Sequence, residues 1–295
     1  MKTLLKIILA LIVLVALVFV GISAYLGYAM TRVERVPLTG SPTDNDLVYE
    51  DVSFPSLYKG LTLRGWFIPA TGSDRAVIMV HGAGDNRNPP GSGMLDIAEE
   101  LVERDFNVLM FDLHGFGESE GNTVSGGYYE KEDLKGAVAY IGQRGIDKVG
   151  VLGFSMGAVA ALMAAAEDKK IDAVVSHSAY ADLNDIIEPE FSRRTKAPKL
   201  FLRPILFMIK IMYGVDFTAV RPIDVVSKIA LRPILFIHGE TDDMITLDHA
   251  ERLFEASQNP ANELWITSGG HAMAYHDHPA EFIDRVTSFF EEALS

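Results

Sequence analysis

The sequence predicts an α/β fold with a mostly parallel central sheet and helices on both faces. From Ala76 to the end of the 295-residue chain, short apolar runs alternate with segments of helical spacing. Strands that alternate with helices form parallel sheets covered on both sides. A β-rich pair of segments precedes this alternation, and one junction between a strand and a helix carries the pattern Gly-x-Ser-x-Gly at Gly153–Gly157.

The N-terminus differs in composition from the rest of the chain. It holds 24 uncharged residues from Ile7 to Met30, and a helix needs about 20 to cross a bilayer. We predict a transmembrane anchor over residues 1–30. A cleaved signal peptide, with the small residues Gly27 and Ala29 before the cut, is the alternative, although its apolar core is usually about 7–15 residues long. The positive-inside rule weakly favours a cytoplasmic N-terminus and an extracytoplasmic folded domain.

A linker is predicted over residues 31–46, because this stretch is rich in Pro, Gly and polar residues and has no apolar period. A single domain over residues 47–295 follows, opening with a hairpin of Val48–Phe54 and Leu61–Ile68, which are rich in β-forming residues. The alternating segments then predict strands at Ala76–Val80, Asn107–Asp112, Val149–Leu152, Ile171–Ser176, Ile234–His238 and Glu263–Ile266, and helices at Met94–Arg104, Glu130–Gly142, Ala158–Ala164, Asp248–Ala256 and Ala280–Leu294.

Residues 181–230 interrupt the alternation of strands and helices. They show no clear strand pattern, and their middle, Leu200–Tyr213, is more apolar than a solvated loop. We predict a helical cap inserted above the sheet edge. Its apolar run is too short to span a bilayer. Two interpretations stay open: a helix packed on the sheet, or a helix that faces membrane lipid.

Composition excludes several classes of function. The formal net charge is −14, and no basic stripe compensates it, so nucleic acid is not an expected partner. The chain has no cysteine, which excludes disulfides, a thiolate nucleophile and a zinc–thiolate site. Apolar residues make up 48% and charged residues 22% of the sequence, as in a globular protein with a large core.

The junction at Gly153–Gly157 predicts a serine nucleophile. The apolar run Val149–Leu152 before it indicates a buried strand, and the small-residue run Ala158–Ala164 after it a buried helix. A serine on such a sharp turn needs a strained backbone, and the two glycines remove side chains that would collide there. Ser155 is the candidate nucleophile. The N–H of Met156, at the helix N-terminus, is a candidate oxyanion donor.

A histidine and a carboxylate that could serve Ser155 as base and orienting acceptor follow it in the chain. His271 lies in a glycine-rich loop after a predicted strand, and loops at the carboxyl ends of parallel strands carry reactive groups. An imidazole takes and returns protons near neutral pH. Asp242 follows another strand and is the candidate acceptor that orients the imidazole, with Asp243 in reserve. The chain order Ser155, Asp242, His271 differs from that of chymotrypsin and subtilisin.

The loop after the strand Ala76–Val80 supplies a second candidate oxyanion donor. It begins with the turn His81–Gly84, which leaves the N–H of Ala83 free to point toward the serine.

A cluster of histidines and an aspartate near the C-terminus also has metal-ligating chemistry. It consists of His271, His276, Asp277 and His278. As a metal site it lacks an obvious fourth ligand and competes for the candidate base. We therefore predict no metal, and His276–His278 are interpreted as a solvated loop.

Taken together, these segments resemble the ordered motif set of the α/β-hydrolase superfamily, and are most similar to its serine-aminopeptidase-like and monoacylglycerol-lipase-like branch. The resemblance covers roughly residues 48–294 and implies hydrolysis of an ester, thioester or amide without a cofactor. His114 stands where that family commonly has an arginine. The motifs that carry the resemblance are His81–Gly84, Asp112–Ser119, Gly153–Gly157, His238–Asp242 and Gly270–His271.

The expected function is that of a membrane-anchored serine hydrolase that cleaves a carboxylic ester through an acyl-enzyme. The apolar cap and the anchor weakly favour a medium or long acyl ester over a charged peptide, so the expected partners are a small-molecule acyl substrate that could be lipid-like and the membrane. An aminopeptidase or thioesterase acting through the same triad is one alternative. Aminopeptidase action needs an acidic cap residue to meet the substrate amine, for which Asp185, Glu188 and Glu190 are candidates. A non-catalytic binding protein that retains the fold is the other alternative.

Overall fold

The computed structural model describes residues 2–195 and 198–295. The helices are α1 (Lys2–Thr31), α2 (Met94–Glu103), α3 (Glu130–Gln143), α4 (Met156–Glu167), α5 (Leu183–Thr195), α6 (Leu202–Tyr213), α7 (Asp248–Ser257), α8 (Ala274–Asp277) and α9 (Pro279–Ala293). The strands are β1 (Glu50–Pro55), β2 (Thr62–Ile68), β3 (Arg75–Val80), β4 (Asn107–Phe111), β5 (Lys148–Phe154), β6 (Ala173–His177), β7 (Ile234–Gly239) and β8 (Glu263–Thr267).

The strands form one sheet in the order β1-β2-β4-β3-β5-β6-β7-β8. Strand β2 is antiparallel to β1 and β4, and every other neighbouring pair is parallel. The predicted mostly parallel α/β sheet with an opening hairpin is confirmed. The bounds of some strands differ by two or more residues from the prediction. Strand β5, for example, continues past its apolar run to Phe154, because the ladder with β6 extends to that residue.

Helices cover both faces of the sheet, which explains why the central strands are apolar throughout. On one face, α3, α4, α7 and the cap helices pack on the strands, and on the other, α2 and α9. The fit is close: a Cβ atom at Gly150 would lie 2.5 Å from the ring of Phe290 on α9. The C-terminal ends of the parallel strands are therefore left as the edge where loops can carry chemistry.

Residues between β6 and β7 form α5, α6 and several short 3₁₀ turns, and no strand occurs among the described residues of this segment. Helix α6 packs along the second half of α1. A Cβ atom at Gly27 would lie 3.1 Å from Ile209, and the rings of Phe19 and Phe201 are 5.3 Å apart. The predicted cap is thus joined to the N-terminal helix as well as to the sheet.

Helix α1 is 30 residues long, and its most apolar 18-residue window has a mean hydropathy of 3.2 and is 6% buried. Within the described part of the chain, α1 alone has the length and composition of a membrane span or a signal sequence. The residues of α1 that are buried are small or polar and lie near its C-terminal end: Ser23, Gly27 and Thr31.

A buried ion pair holds the loop that follows β4. Asp112 accepts hydrogen bonds from the backbone N–H of Arg87, at 2.7 Å, and from its guanidinium, at 2.6 Å. His114 is fixed by α3: its N–H and its Nδ1 lie 2.8 and 2.6 Å from one oxygen of Asp133. Burial acts to lower the pKa of His114, but the hydrogen bond and charge of Asp133 raise it above the ordinary value.

Candidate active site

Ser155 lies on a strained turn between β5 and α4. Its φ is 52° and its ψ −116°, a region that costs a non-glycine residue about 1–3 kcal/mol. Close packing on both sides requires the flanking glycines. A Cβ atom at Gly153 would lie 2.6 Å from the carbonyl of Gly157, and one at Gly157 would lie 2.3 Å from that of Val80. The Ser155 N–H donates to the His177 carbonyl at 2.8 Å, so β6 holds the turn in place.

The structure brings Ser155, His271 and Asp242 together in one hydrogen-bonded chain. The hydroxyl of Ser155 lies 2.9 Å from Nε2 of His271, and Nδ1 of His271 lies 2.7 Å from Oδ2 of Asp242. A neutral imidazole that carries its proton on Nδ1 donates to the carboxylate and accepts from the serine. The reserve candidate, Asp243, is exposed and takes no part in this chain.

Asp242 is held as a carboxylate by its own loop. Its Oδ1 accepts hydrogen bonds from the N–H groups of Met244 and Ile245, at 3.0 and 2.8 Å. Burial acts to raise the pKa of Asp242, but the hydrogen bonds from His271 and Ile245 outweigh it and hold the pKa below its usual value. The group is therefore ionised at neutral pH, as an acceptor for imidazolium must be.

Two further histidines support the site without joining the triad. His238 Nε2 donates to the Ile245 carbonyl at 2.7 Å and so braces the loop of Asp242. His177 is fully buried, and its burial, together with the charges of His271 and His238, lowers its pKa to about 3. His177 therefore stays neutral beside the site. Both residues occur at or near strand ends, as do His81 and His114. The sequence contains no signal that distinguishes the different structural roles of these four histidines.

The predicted oxyanion loop lies against the nucleophile. A Cβ atom at Gly82 would lie 3.3 Å from the Cβ of Ser155, which places Ala83 one residue from this contact. His81 shapes the turn: its Nδ1 donates to the Gly82 carbonyl at 2.7 Å, and its Nε2 accepts from the N–H of Leu113 at 3.1 Å. On the other side, Met156 is the first residue of α4, where backbone N–H groups have no acceptor within the helix.

The C-terminal histidines have separate partners. His276 is exposed and lies 3.1 Å from Asp277, and His278 lies 3.2 Å from the hydroxyl of Ser268. Across residues 2–195 and 198–295, no group of three potential metal ligands comes together.

Each acidic cap residue that could receive a substrate amine has a basic partner. Asp185 pairs with Arg252 at 2.9 Å. Glu188 pairs with Lys199 at 2.5 Å, and Glu190 pairs with Arg193 at 2.7 Å. Each of the three candidate carboxylates therefore already has a cationic neighbour.

Comparisons with known proteins agree with this architecture. Residues 75–203 match the family model described as alpha/beta hydrolase fold. The uncharacterised protein YqkD of Bacillus subtilis is 30% identical over 244 residues, which cover 80% of this chain and 77% of YqkD. The esterase Pf2001 of Pyrococcus furiosus superposes with a TM-score of 0.76 at 27% identity, covering 90% of this chain and 99% of the esterase chain.

The fold extends to more distant proteins. An esterase from Exiguobacterium antarcticum gives a TM-score of 0.60 at 19% identity, over 81% of this chain and 99% of that chain, which is a likeness of fold alone. The YqkD match spans most of both proteins, and the Pf2001 esterase shares the fold over 90% of this chain. The chain therefore belongs to the α/β hydrolases.

Proposed function

We propose that the protein is a membrane-anchored serine hydrolase that cleaves a carboxylic ester through an acyl-enzyme. The observation that carries the proposal is the unbroken chain of hydrogen bonds from Ser155 through His271 to Asp242. The same chain could serve a thioester, but the esterase Pf2001, at 27% identity over nearly its whole length, favours an oxygen ester.

In the acylation step, the Ser155 oxygen attacks the ester carbonyl carbon while its proton passes to Nε2 of His271. The carbonyl oxygen becomes an oxyanion, for which the N–H groups of Ala83 and Met156 are the donors. When the bond to the leaving oxygen breaks, His271 gives its proton to that oxygen. An alcohol departs, and the acyl group remains on Ser155.

Deacylation repeats these steps with water. His271 accepts a proton from the water, whose oxygen attacks the acyl carbon, and then returns the proton to Ser155 as the carboxylic acid leaves. The ionised Asp242 stabilises the imidazolium in both steps. No cofactor is needed to balance the reaction.

Covalent labelling with a fluorophosphonate probe tests the nucleophile. The wild type should be labelled and should hydrolyse p-nitrophenyl esters faster than aminoacyl p-nitroanilides, because the acidic cap residues are paired. Ser155→Ala should abolish both labelling and hydrolysis.

Ser178→Ala is the matched control, since Ser178 is a buried serine that accepts a hydrogen bond from the N–H of Ala272 beside the triad. It should keep the label. Equal labelling of Ser155→Ala and the wild type would place the nucleophile elsewhere and defeat the proposal.

We further propose that α1 is an uncleaved anchor with the hydrolase domain outside the cytoplasm. Cleavage after Ala29 would remove the surface that Gly27 gives to α6. Counting about 20 residues from Leu4 puts the end of the hydrocarbon layer near Ser23, where burial of α1 against the domain begins. The exposed part of the helix is thus about as long as a bilayer is thick.

The fate of an N-terminal epitope tag tests this anchoring. The tag should remain on the full-length protein, and the protein should resist extraction by alkaline carbonate. In spheroplasts, added protease should reach the domain but not the tag. Release of an untagged, soluble domain would show a cleaved signal peptide, and protection of the domain would reverse the orientation.

A further inference from the structure

The segment that follows α1 is fixed to the hydrolase domain from its first residue. Arg32 forms an antiparallel bridge with Thr123. The Val124 N–H donates to the Thr31 carbonyl at 2.8 Å, and the Val33 N–H to that of Asn122 at 3.3 Å. The chain therefore passes directly from the anchor helix into the domain, although this stretch has the composition of a linker.

Arg35 secures the same segment a few residues later. Its guanidinium donates to the carbonyls of Phe116 at 3.0 Å, Ser119 at 2.6 Å and Gly121 at 2.8 Å. A planar group with five donors suits a loop that presents several carbonyls at once. These bonds hold residues 32–36 against the loop that follows β4.

A cavity of about 330 Å³ lies where this segment meets the oxyanion loop. Its volume is at the lower end of the range of about 300–1,000 Å³ for ligand pockets. Its lining is mainly apolar, with Val33 and Val36 from the segment and Phe116 and Val124 from the loop after β4. The charged residues Arg32 and Glu34 of the segment also line it. A larger cavity of about 800 Å³ between α5 and α6 has no triad or oxyanion-loop residue among its described lining.

The candidate oxyanion loop forms part of the wall of the smaller cavity. Ala83 and Gly84 form part of its wall, and their neighbour Gly82 is in close contact with Ser155. In the proposed reaction, the substrate carbonyl lies between Ser155 and the N–H of Ala83. An acyl chain attached to that carbonyl therefore begins beside the cavity.

We propose that this cavity binds the acyl chain of the ester substrate, and that Val33 and Val36 determine the chain length accepted. The inference rests on the proposed ester hydrolysis and names its substrate class: esters of medium-chain acids. Each buried methylene raises affinity about fourfold, so an apolar cavity of this size selects strongly against acetyl groups. The residues that follow the anchor thus form part of the substrate site.

Filling the cavity tests the proposal. In the full-length protein in detergent, Val36→Trp should lower the ratio of kcat/KM for p-nitrophenyl octanoate to that for p-nitrophenyl acetate at least tenfold. Val124→Phe fills the cavity from the opposite wall and should lower the same ratio. Val48→Trp is the matched control, because Val48 is 79% exposed, and should leave the ratio unchanged.

The outcomes separate this inference from the proposed function. A ratio unchanged in Val36→Trp overturns the acyl site. If Val36→Trp loses turnover of both esters, the ratio in Val124→Phe decides in the same way. Failure of the proposed function has a different signature: the wild type would hydrolyse neither ester and would not react with a fluorophosphonate.

Discussion

Replacing Asp242 with asparagine should lower kcat about 10⁴-fold, with a small change in KM. In the structure, Nδ1 of His271 donates to Oδ2 of Asp242 at 2.7 Å, which leaves Nε2 free to accept the serine proton. An asparagine amide can donate to Nδ1 instead and so favour the tautomer whose Nε2 carries the proton. That tautomer cannot act as a base toward Ser155. Steady-state kinetics on a p-nitrophenyl ester measures the effect.

Two further variants sharpen this prediction. Asp243→Asn changes the adjacent but exposed carboxylate and should leave kcat within about twofold of wild type. Combining Asp242→Asn with His271→Ala should cost no more than His271→Ala alone, because residues of a triad act as a unit. If Asp242→Asn retained a tenth or more of wild-type kcat, Asp242 would not be the orienting carboxylate.

Asp112→Asn should lower the free energy of unfolding by about 3–5 kcal/mol. The side chains of Asp112 and Arg87 are 0% and 2% exposed, and their ion pair is 2.6 Å long. Removing the carboxylate charge leaves the buried guanidinium with only the exposed carboxylate of Glu118 as a counter-charge, which costs far more than the loss of a surface pair. Urea unfolding of the full chain in detergent, followed by tryptophan fluorescence, measures the change.

Glu118→Gln provides the control for the buried pair. Glu118 is the other partner of the same guanidinium, at 2.5 Å, but its side chain is 59% exposed. Exposed pairs contribute about 0–1 kcal/mol, so this variant should unfold within about 1 kcal/mol of wild type. Equal destabilisation by the two substitutions would mean that burial of Asp112 does not set the strength of its pair with Arg87.

The parts of the site that could be predicted from the sequence lie at strand ends next to glycines. Ser155, Asp242 and His271 each follow a short apolar strand, and parallel strands bring such ends to one edge. The fold and the candidate triad therefore follow from local pattern and chain order. This reasoning could not decide between Asp242 and Asp243. The two adjacent aspartates are distinguished by the hydrogen bonds that the folded loop makes to Asp242.

Contacts between distant segments could not be predicted in this way. The apolar run of α6 looks the same whether it packs on the sheet or on another helix, and its contact with Gly27 depends on how the chain folds back. The composition of residues 31–46 is typical of a free linker. The segment is fixed by the bridge of Arg32 to Thr123 and by the carbonyls that accept hydrogen bonds from Arg35. All of these partners are distant in the sequence.

No flexible linker separates α1 from the domain, because residues 31–33 are hydrogen-bonded to residues 122–124. If α1 lies in a bilayer, as proposed, the folded domain cannot tumble independently of the helix or move away from the lipid surface. Its orientation relative to that surface would be set by the tilt of a single helix. Encounters with a membrane-dissolved ester would then occur by lateral diffusion in two dimensions, and turnover would depend on the surface density of substrate rather than on its bulk concentration.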